Sequence, residues 1–143
     1  MARIMALDIG DKRIGIAVTD PLLNIPMPYK TYFRVGAAKD VQALTAEAVA
    51  LGAEKIVCGL PVNFDGSESI QTVKTAKFIE ELKKVCPIEI DTVDERFTTM
   101  EASRVLIEAD MRRDKRKNVV DKVAASYILE NYLRKIQNSS KGD

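Results

Sequence analysis

Three acids stand where chemistry is possible. Asp8 follows directly on the apolar run Ile4-Met5-Ala6-Leu7. Glu95 closes the alternating stretch from Ile88, and Asp121 stands three residues after Asn118 at the head of an apolar helical pattern. Each has an ordinary explanation by itself. Asp8 can end a strand and cap the turn before Gly10. Glu95 can be a solvent-exposed partner of Arg96, with Asp94 and Asp91 weaker candidates on the same strand. Asp121, after Asn118, reads as an acid in a first helical turn, where the helix dipole favours it. As a set they mean more. One acid lies on the first strand, one at the end of the last strand and one at the start of the last helix, places that converge in a compact sheet-and-helix domain. Two carboxylates 4 Å apart repel by about 4 kcal/mol at an effective dielectric near 20, so such a cluster stays ionised only with a cation. Oxygen-only ligands favour Mg²⁺ or Mn²⁺, and such ions activate water and clamp the oxygens of a phosphodiester.

The composition agrees. The chain of 143 residues contains no histidine, which removes His-based triads, His general bases and His-ligated zinc or haem. Its two cysteines, Cys58 and Cys86, are too far apart for a redox pair and too few for zinc. Cys58 lies in an apolar run and is expected to be a small buried hydrophobe. Lys plus Arg is 22 and Asp plus Glu is 21, a net charge of +1, so any grip on nucleic acid must come from a local patch. The opening run MARIMALDIG has too short an apolar stretch for a signal peptide and carries an acid. No segment approaches the roughly 20 apolar residues of a membrane span. A soluble, cytoplasmic, single-domain protein is expected, with residues 1–137 as the domain and 138–143 as a flexible tail.

Several groups are placed to hold phosphate. Gly10 and Gly15 border the turn that carries Lys12 and Arg13, and glycine lets a phosphate approach the backbone; an ordinary hairpin turn is the plainer reading. Gly59-Leu60-Pro61 ends a strand ahead of a helix N-terminus, a common phosphate-binding place. Arg112, Arg113, Lys115, Arg116 and Lys117 form a basic run broken only by Asp114 and leading to Asp121. A solvated loop is the usual explanation of such a run. If it borders the site, each phosphate it contacts steepens the salt dependence of binding. No aromatic is interleaved with it. Tyr29, Tyr32 and Phe33 have rings able to stack on a base, although core or sheet-edge roles are the plainer reading.

The elements that would position these groups follow from periodicity. Arg3 to Leu7 and Ile14 to Val18 read as strands joined by a glycine-bearing turn. Asp20 to Pro28, rich in proline, reads as irregular or a sheet edge, and Tyr29 to Val35 as a third strand. Val41, Leu44, Ala48 and Leu51 mark one face of a helix ended by Gly52. Lys55 to Leu60 reads as a buried strand. A helix over about 68–84 is expected to turn Ile70, Val73, Ile79 and Leu82 inward. Ile88 to Glu95 is the fifth strand. Thr98-Thr99-Met100-Glu101 has capping-box form, predicting a helix to about Ala109. Met111 to Asn118 reads as a polar loop, followed by a last helix to about Lys135. A hairpin followed by alternating helices and strands implies an α/β domain with a mixed sheet covered by helices. This is the element order of the ribonuclease H-like fold, and order alone also admits a flavodoxin-like sheet.

The strings DIGDKRIG, VCGLPVNFDGSES, VDERFTT and NVVDKVAASYILENYL, in this order, resemble the YqgF nuclease family of pre-16S ribosomal RNA nucleases and Holliday-junction-resolvase-like proteins. The resemblance spans Arg3 to about Leu133. It implies a ribonuclease H-like fold with a five-stranded mixed sheet and helices on both faces. It also implies cytoplasmic maturation of the 5′ end of small-subunit ribosomal RNA, and catalytic, metal-holding acids at Asp8, Glu95 and Asp121. Junction resolvases usually carry a fourth acid near the last one; here the neighbours are Val119, Val120, Lys122 and Val123, and Asp114 is the nearest preceding acid. The expected protein is a Mg²⁺- or Mn²⁺-dependent nuclease, a monomer or weak homodimer. Gly10, Lys12, Arg13, Arg96, Arg112, Arg113, Lys115, Arg116 and Lys117 would contact the substrate, precursor RNA ahead of DNA junctions. Two alternatives are an RNA- or ribosome-binding module that does not cut, and a nucleotide-binding domain of the actin and sugar-kinase type. The latter normally needs two such domains.

Overall fold

The computed structural model describes residues 3–20, 22, 25–61, 68–94 and 113–141, with side chains in the last segment described for 122–136. The elements are β1 (Arg3–Ile9), β2 (Arg13–Thr19), β3 (Pro26–Phe33), α1 (Ala37–Leu51), β4 (Ala53–Leu60), α2 (Ile70–Val85), β5 (Glu89–Asp94) and α3 (Arg113–Lys141). The five strands form one mixed sheet in the order β3-β2-β1-β4-β5. β1 and β2 are an antiparallel hairpin extended by β3, while β4 and β5 run parallel to β1. The parallel strands β1, β4 and β5 therefore all end at one edge of the sheet. The helix expected over Thr98 to Ala109 lies outside the described residues.

Alternation along the strands divides the interior into two layers. Met5, Leu7 and Ile9 of β1 face one way, with Ile14, Ile16, Ile56 and Cys58, and pack against α1 and α2 through Val41, Leu44, Phe78, Ile79 and Leu82. Ile4 and Ala6 face the other way, with Ala17, Val57 and Val93, and are covered by Ala124, Ala125, Ile128, Leu129 and Tyr132 of α3. Helices thus cover both faces, as expected. Cys58 is completely buried, and burial pushes its thiol up to about 12, so it packs and does not react. No helix among the described residues is long and apolar enough to cross a membrane.

Local chemistry sets the boundaries. Gly52 takes the left-handed conformation, φ 72°, and its N–H closes the end of α1 on the carbonyls of Ala48 and Val49. Ser69 caps α2 in a reciprocal capping box with Thr72, and the Thr72 hydroxyl also donates to the Pro61 carbonyl. Prolines 26 and 28 lie on β3, an edge strand, where a missing N–H costs least.

Three expectations need correction. Ile70 and Val73 do not face inward; they are 79% and 55% exposed, and the buried face of α2 is Thr72, Thr75, Phe78, Ile79 and Leu82. The inward stripe begins with two threonines that an apolar count passes over, because the capping box fixes the phase of the first turn. The basic run is not a loop either: α3 begins at Arg113, five residues before Asn118. Lys and Arg are good helix formers, and no Gly or Pro interrupts 113–141. The helix also continues beyond Lys135 to Lys141, into the segment read as a tail.

One buried acid ties three elements together. Asp40, in the first turn of α1, has no exposed surface. It accepts hydrogen bonds from the Tyr32 hydroxyl at 2.9 Å, Arg34 Nε at 2.9 Å, and the Val35 and Gly36 N–H groups at 3.0 and 3.4 Å. Burial alone pushes this carboxyl up. The bonds from Val35, Arg34, Tyr32 and Gly36 outweigh it and hold the group below its ordinary range. A carboxyl held low in the fold contributes its stability above the unfolded pKa and loses it as pH falls through the folded value. Asp40→Asn should therefore cost about 3 kcal/mol at neutral pH, since it leaves Arg34 without its buried counterion. It should also flatten the loss of stability seen in urea unfolding below about pH 4. Equal pH slopes for the two proteins would contradict an ionised Asp40.

Candidate functional site

Asp8 is the first polar residue on the face of β1 that Ile4 and Ala6 occupy, and it is half-buried. Its antiparallel partner is Gly15. On the other side Leu7 pairs with Cys58 and Gly59 with Val93, so the register carries Asp8 level with Gly59. Across the sheet the row reads Gly15, Asp8, Gly59, Val93. Both flanking residues lack a side chain, so no neighbour in the sheet seals the carboxylate over. A valine on either side would line the same face. Asp8 also makes an interaction of its own within the protein.

The turn beyond Asp8 is held from both ends. The Gly10 N–H donates to the Arg13 carbonyl at 2.9 Å, and the Arg34 N–H donates to the Lys12 carbonyl at 2.9 Å. The Arg34 guanidinium, already paired with Asp40, donates from Nη1 to the Gly10 carbonyl at 2.8 Å and lies over the Phe78 ring at 4.7 Å. One cation thus links the β1–β2 turn to α1 and α2. A Cβ on Gly10 would stand 2.8 Å from the Arg13 carbonyl oxygen, so glycine is required there by the close approach of backbone. Lys12 is exposed at the turn. Arg13 opens β2 on the Asp8 face, since Ile14 beside it faces α1 and α2.

Helix α3 crosses the Asp8 face, lying chiefly over β2, β3 and β1. Tyr132 marks where it passes the start of β4: its hydroxyl accepts a hydrogen bond from Lys55 Nζ at 2.7 Å. Asp121 precedes Ala124, Ala125, Ile128 and Leu129 by three, four, seven and eight positions, which is the spacing of one helix face. The stripe that covers the sheet therefore runs back through position 121. Because α3 starts at Arg113, Asp121 is not in a first turn and Asn118 is not a cap. That removes the capping explanation of this acid, and aspartate is a poor residue for a helix interior.

The other expected site residues divide as follows. Gly10, Lys12 and Arg13 join Asp8 at one edge of the sheet. Arg113, Lys115, Arg116 and Lys117 occupy the first turns of α3, two to one turn before Asp121, as backbone positions. Glu95, Arg96 and Arg112 lie outside the described residues, as do the side chains of Asp121 and the basic run. Asp94 is exposed and pairs with Leu60 on the opposite face, and the Asp91 carboxylate is engaged by the Thr92 N–H at 2.8 Å. Among the described residues no three acids or cysteines gather as a metal site; Asp8 is the member of the expected trio whose side chain is described. Sequence reasoning missed Arg34 and Asp40 as the residues that hold the turn. Only an acid in the first turn of α1 hinted at them.

Known proteins resemble this chain over most of its length. A family model described as RuvX: Holliday junction resolvase matches residues 2–135. A Clostridium kluyveri protein named as a pre-16S rRNA nuclease is 43% identical over 134 residues, 94% of this chain and 98% of the relative. A protein of the same name from Endomicrobium trichonymphae is 46% identical, covering 93% and 96%. Among solved structures, Thermus RuvC in complex with a Holliday junction aligns with a TM-score of 0.52 at 10% identity over 94% of this chain and 96% of that one. The Fowlpox virus resolvase aligns at 0.53 and 12%, over 94% and 98%. These likenesses give the fold, the mixed ribonuclease H-like sheet of resolvases.

The packing at the turn predicts that Gly10→Ala will lower stability by about 1–3 kcal/mol, the usual cost of forcing an atom into a filled place. Chemical denaturation checks it, and an unchanged midpoint would show that the turn yields freely.

Proposed function

The chain belongs to the RuvX family, and from that premise we propose that it is a metal-dependent nuclease that hydrolyses phosphodiester bonds at the Asp8 edge of the sheet. The observation that carries the reading is Asp8 itself. An acid stands on the α3 face of the central strand, level with Gly15 and Gly59, whose missing side chains leave space beside it. The names of the relatives make a 16S ribosomal RNA precursor the favoured substrate, and we assign the cut to its 5′ extension.

The donor set fits a hard divalent cation. Asp8, together with Glu95 and Asp121, would hold Mg²⁺ or Mn²⁺ through carboxylate oxygens, and the missing side chains beside Asp8 leave room for it. When bound, the ion supplies Lewis acidity and activated water, the chemistry a chain without histidine needs. The protein's own groups do the rest. Lys12 and Arg13 meet the phosphates of the strand beside the scissile bond, and Arg96 and the basic residues Arg112, Arg113, Lys115, Arg116 and Lys117 meet those further along. Gly10 lets the backbone of the turn come close to a phosphate. The Arg34 clamp keeps that turn in one place, so the positive groups are oriented before substrate arrives. The activity is assigned to the cytoplasm, where ribosomal RNA precursors are processed.

A second substrate is favoured by one observation: the matching family model is described by junction resolution. Incubation of the protein with a 5′-extended ribosomal RNA precursor and, separately, a four-way DNA junction distinguishes the two. Cutting of the RNA is expected only with Mg²⁺ or Mn²⁺. Asp8→Asn should reduce it by at least about a hundredfold, because a lost metal ligand removes several kcal/mol of transition-state stabilisation and each 1.36 kcal/mol is tenfold. Cation-dependent cutting that survives Asp8→Asn would overturn the site. Paired cuts in the junction with the RNA untouched would reassign the substrate.

A further inference from the structure

We propose that Phe33 is a stacking platform for an unpaired base of the substrate strand, next to the Asp8 edge. The proposal rests on the reading of that edge as a nucleic-acid site and adds what kind of strand it takes.

Phe33 is the last residue of β3 and pairs with Arg13. It therefore lies on the Asp8 face, while Tyr32 lies on the other. Three aromatics of this strand have rings able to stack, and the structure separates them. The Tyr32 hydroxyl is committed to Asp40 at 2.9 Å. Tyr29 is drawn to Glu47, whose hydrogen bond raises its phenol above the ordinary value. Phe33 has no polar atom and is 57% exposed. Single exposed hydrophobics are common and need no explanation; what sets this one apart is how it is held. Its neighbours on both sides are bound to the same buried carboxylate, Tyr32 through its hydroxyl and Arg34 through Nε. The Arg34 N–H is also bonded to the Lys12 carbonyl. The backbone carrying the ring is thus fixed, so stacking on it costs little ordering.

Its surroundings suit a nucleotide more than an apolar partner. Arg13 is directly across the ladder, and Lys12 is exposed in the adjoining turn. At ordinary strand spacing and rise, two strands across and two residues along, Phe33 is about 12 Å from Asp8 between Cα atoms. A single strand covers that distance in a few nucleotides. A base on Phe33 would leave its phosphates beside Lys12 and Arg13 and its chain running toward Asp8. Bases inside a duplex are already stacked and gain nothing here, so the preference is for single-stranded or end-frayed substrate.

The test is binding without catalysis. Fluorescence anisotropy of a labelled single-stranded oligoribonucleotide of mixed sequence, in EDTA, compares wild type, Phe33→Ala, Phe33→Trp and Lys12→Ala, with a blunt RNA duplex as control. Phe33→Ala should weaken single-strand binding by about tenfold at every salt concentration, leaving the salt slope unchanged, with Phe33→Trp restoring it. Lys12→Ala should instead make the slope shallower. Neither Phe33 variant should alter duplex binding. Wild-type affinity in Phe33→Ala, or an equal loss for single strand and duplex, would overturn the proposal. A protein that shows the Phe33 effect but never cuts would contradict the nuclease reading alone, and a nuclease indifferent to Phe33→Ala would contradict the stacking platform alone.

Discussion

A carboxylate at the end of a buried central strand is the constraint on which the arrangement turns. β1 has a neighbour on each side and helices over both faces, and between Arg3 at its start and Asp8 near its end only apolar residues stand. Asp8 is the acid of this strand. Removing a charge from water without a partner costs far more than a small domain can absorb. Asp8 is half-buried and engaged within the protein. Glycine stands on either side of Asp8 in the row, and the acid is at the edge where the parallel strands finish. A half-buried acid between two glycines has little to pack against in its own row.

The other face of the sheet resolves the same physical problem differently. Asp40 is entirely buried, and four donors from Tyr32, Arg34, Val35 and Gly36 satisfy it within the chain. No ligand is needed there, and the group is a structural anchor. The two acids are linked through Arg34, which bonds the Asp40 carboxylate and the Gly10 carbonyl in the turn that follows Asp8. Rigidity created at Asp40 is thereby passed to the turn that follows Asp8. The same carboxylate fixes both neighbours of Phe33. A single buried cluster therefore positions the turn, its basic residues and the exposed ring, which is how a site on loops and strand ends acquires fixed geometry.

Most of the sheet was legible in the sequence because strand alternation and helical spacing are strong local signals. The burial of β4 on both faces, the stop at Gly52 and the buried Cys58 all follow from such signals. The failures have local causes. Apolarity alone places Ile70 and Val73 in the core, but the capping box at Ser69 sets the phase of α2 and brings Thr72 and Thr75 inward. The basic run was assigned to a loop by polarity, although it contains no helix breaker, and α3 begins there. That difference bears on Asp121, which the loop reading puts in a first helical turn and the helix puts well inside it. Asp8, Gly10, Lys12 and Arg13 could be picked out from residue types around one turn. Arg34 could not, because its partners Asp40, Gly10 and Phe78 are brought to it only by the tertiary fold, and nothing in the local pattern marks an arginine after a strand.

The central claim is that Asp8 belongs to a cluster of carboxylates that shares a cation. Thermal unfolding with and without Mg²⁺ or Mn²⁺, on wild type and Asp8→Asn, tests it without substrate. A cation at about a hundred times its dissociation constant stabilises the folded state by about 2.7 kcal/mol. The account predicts that the cation raises the melting temperature of wild type and leaves Asp8→Asn unmoved. Equal stabilisation of both proteins by the cation would contradict it.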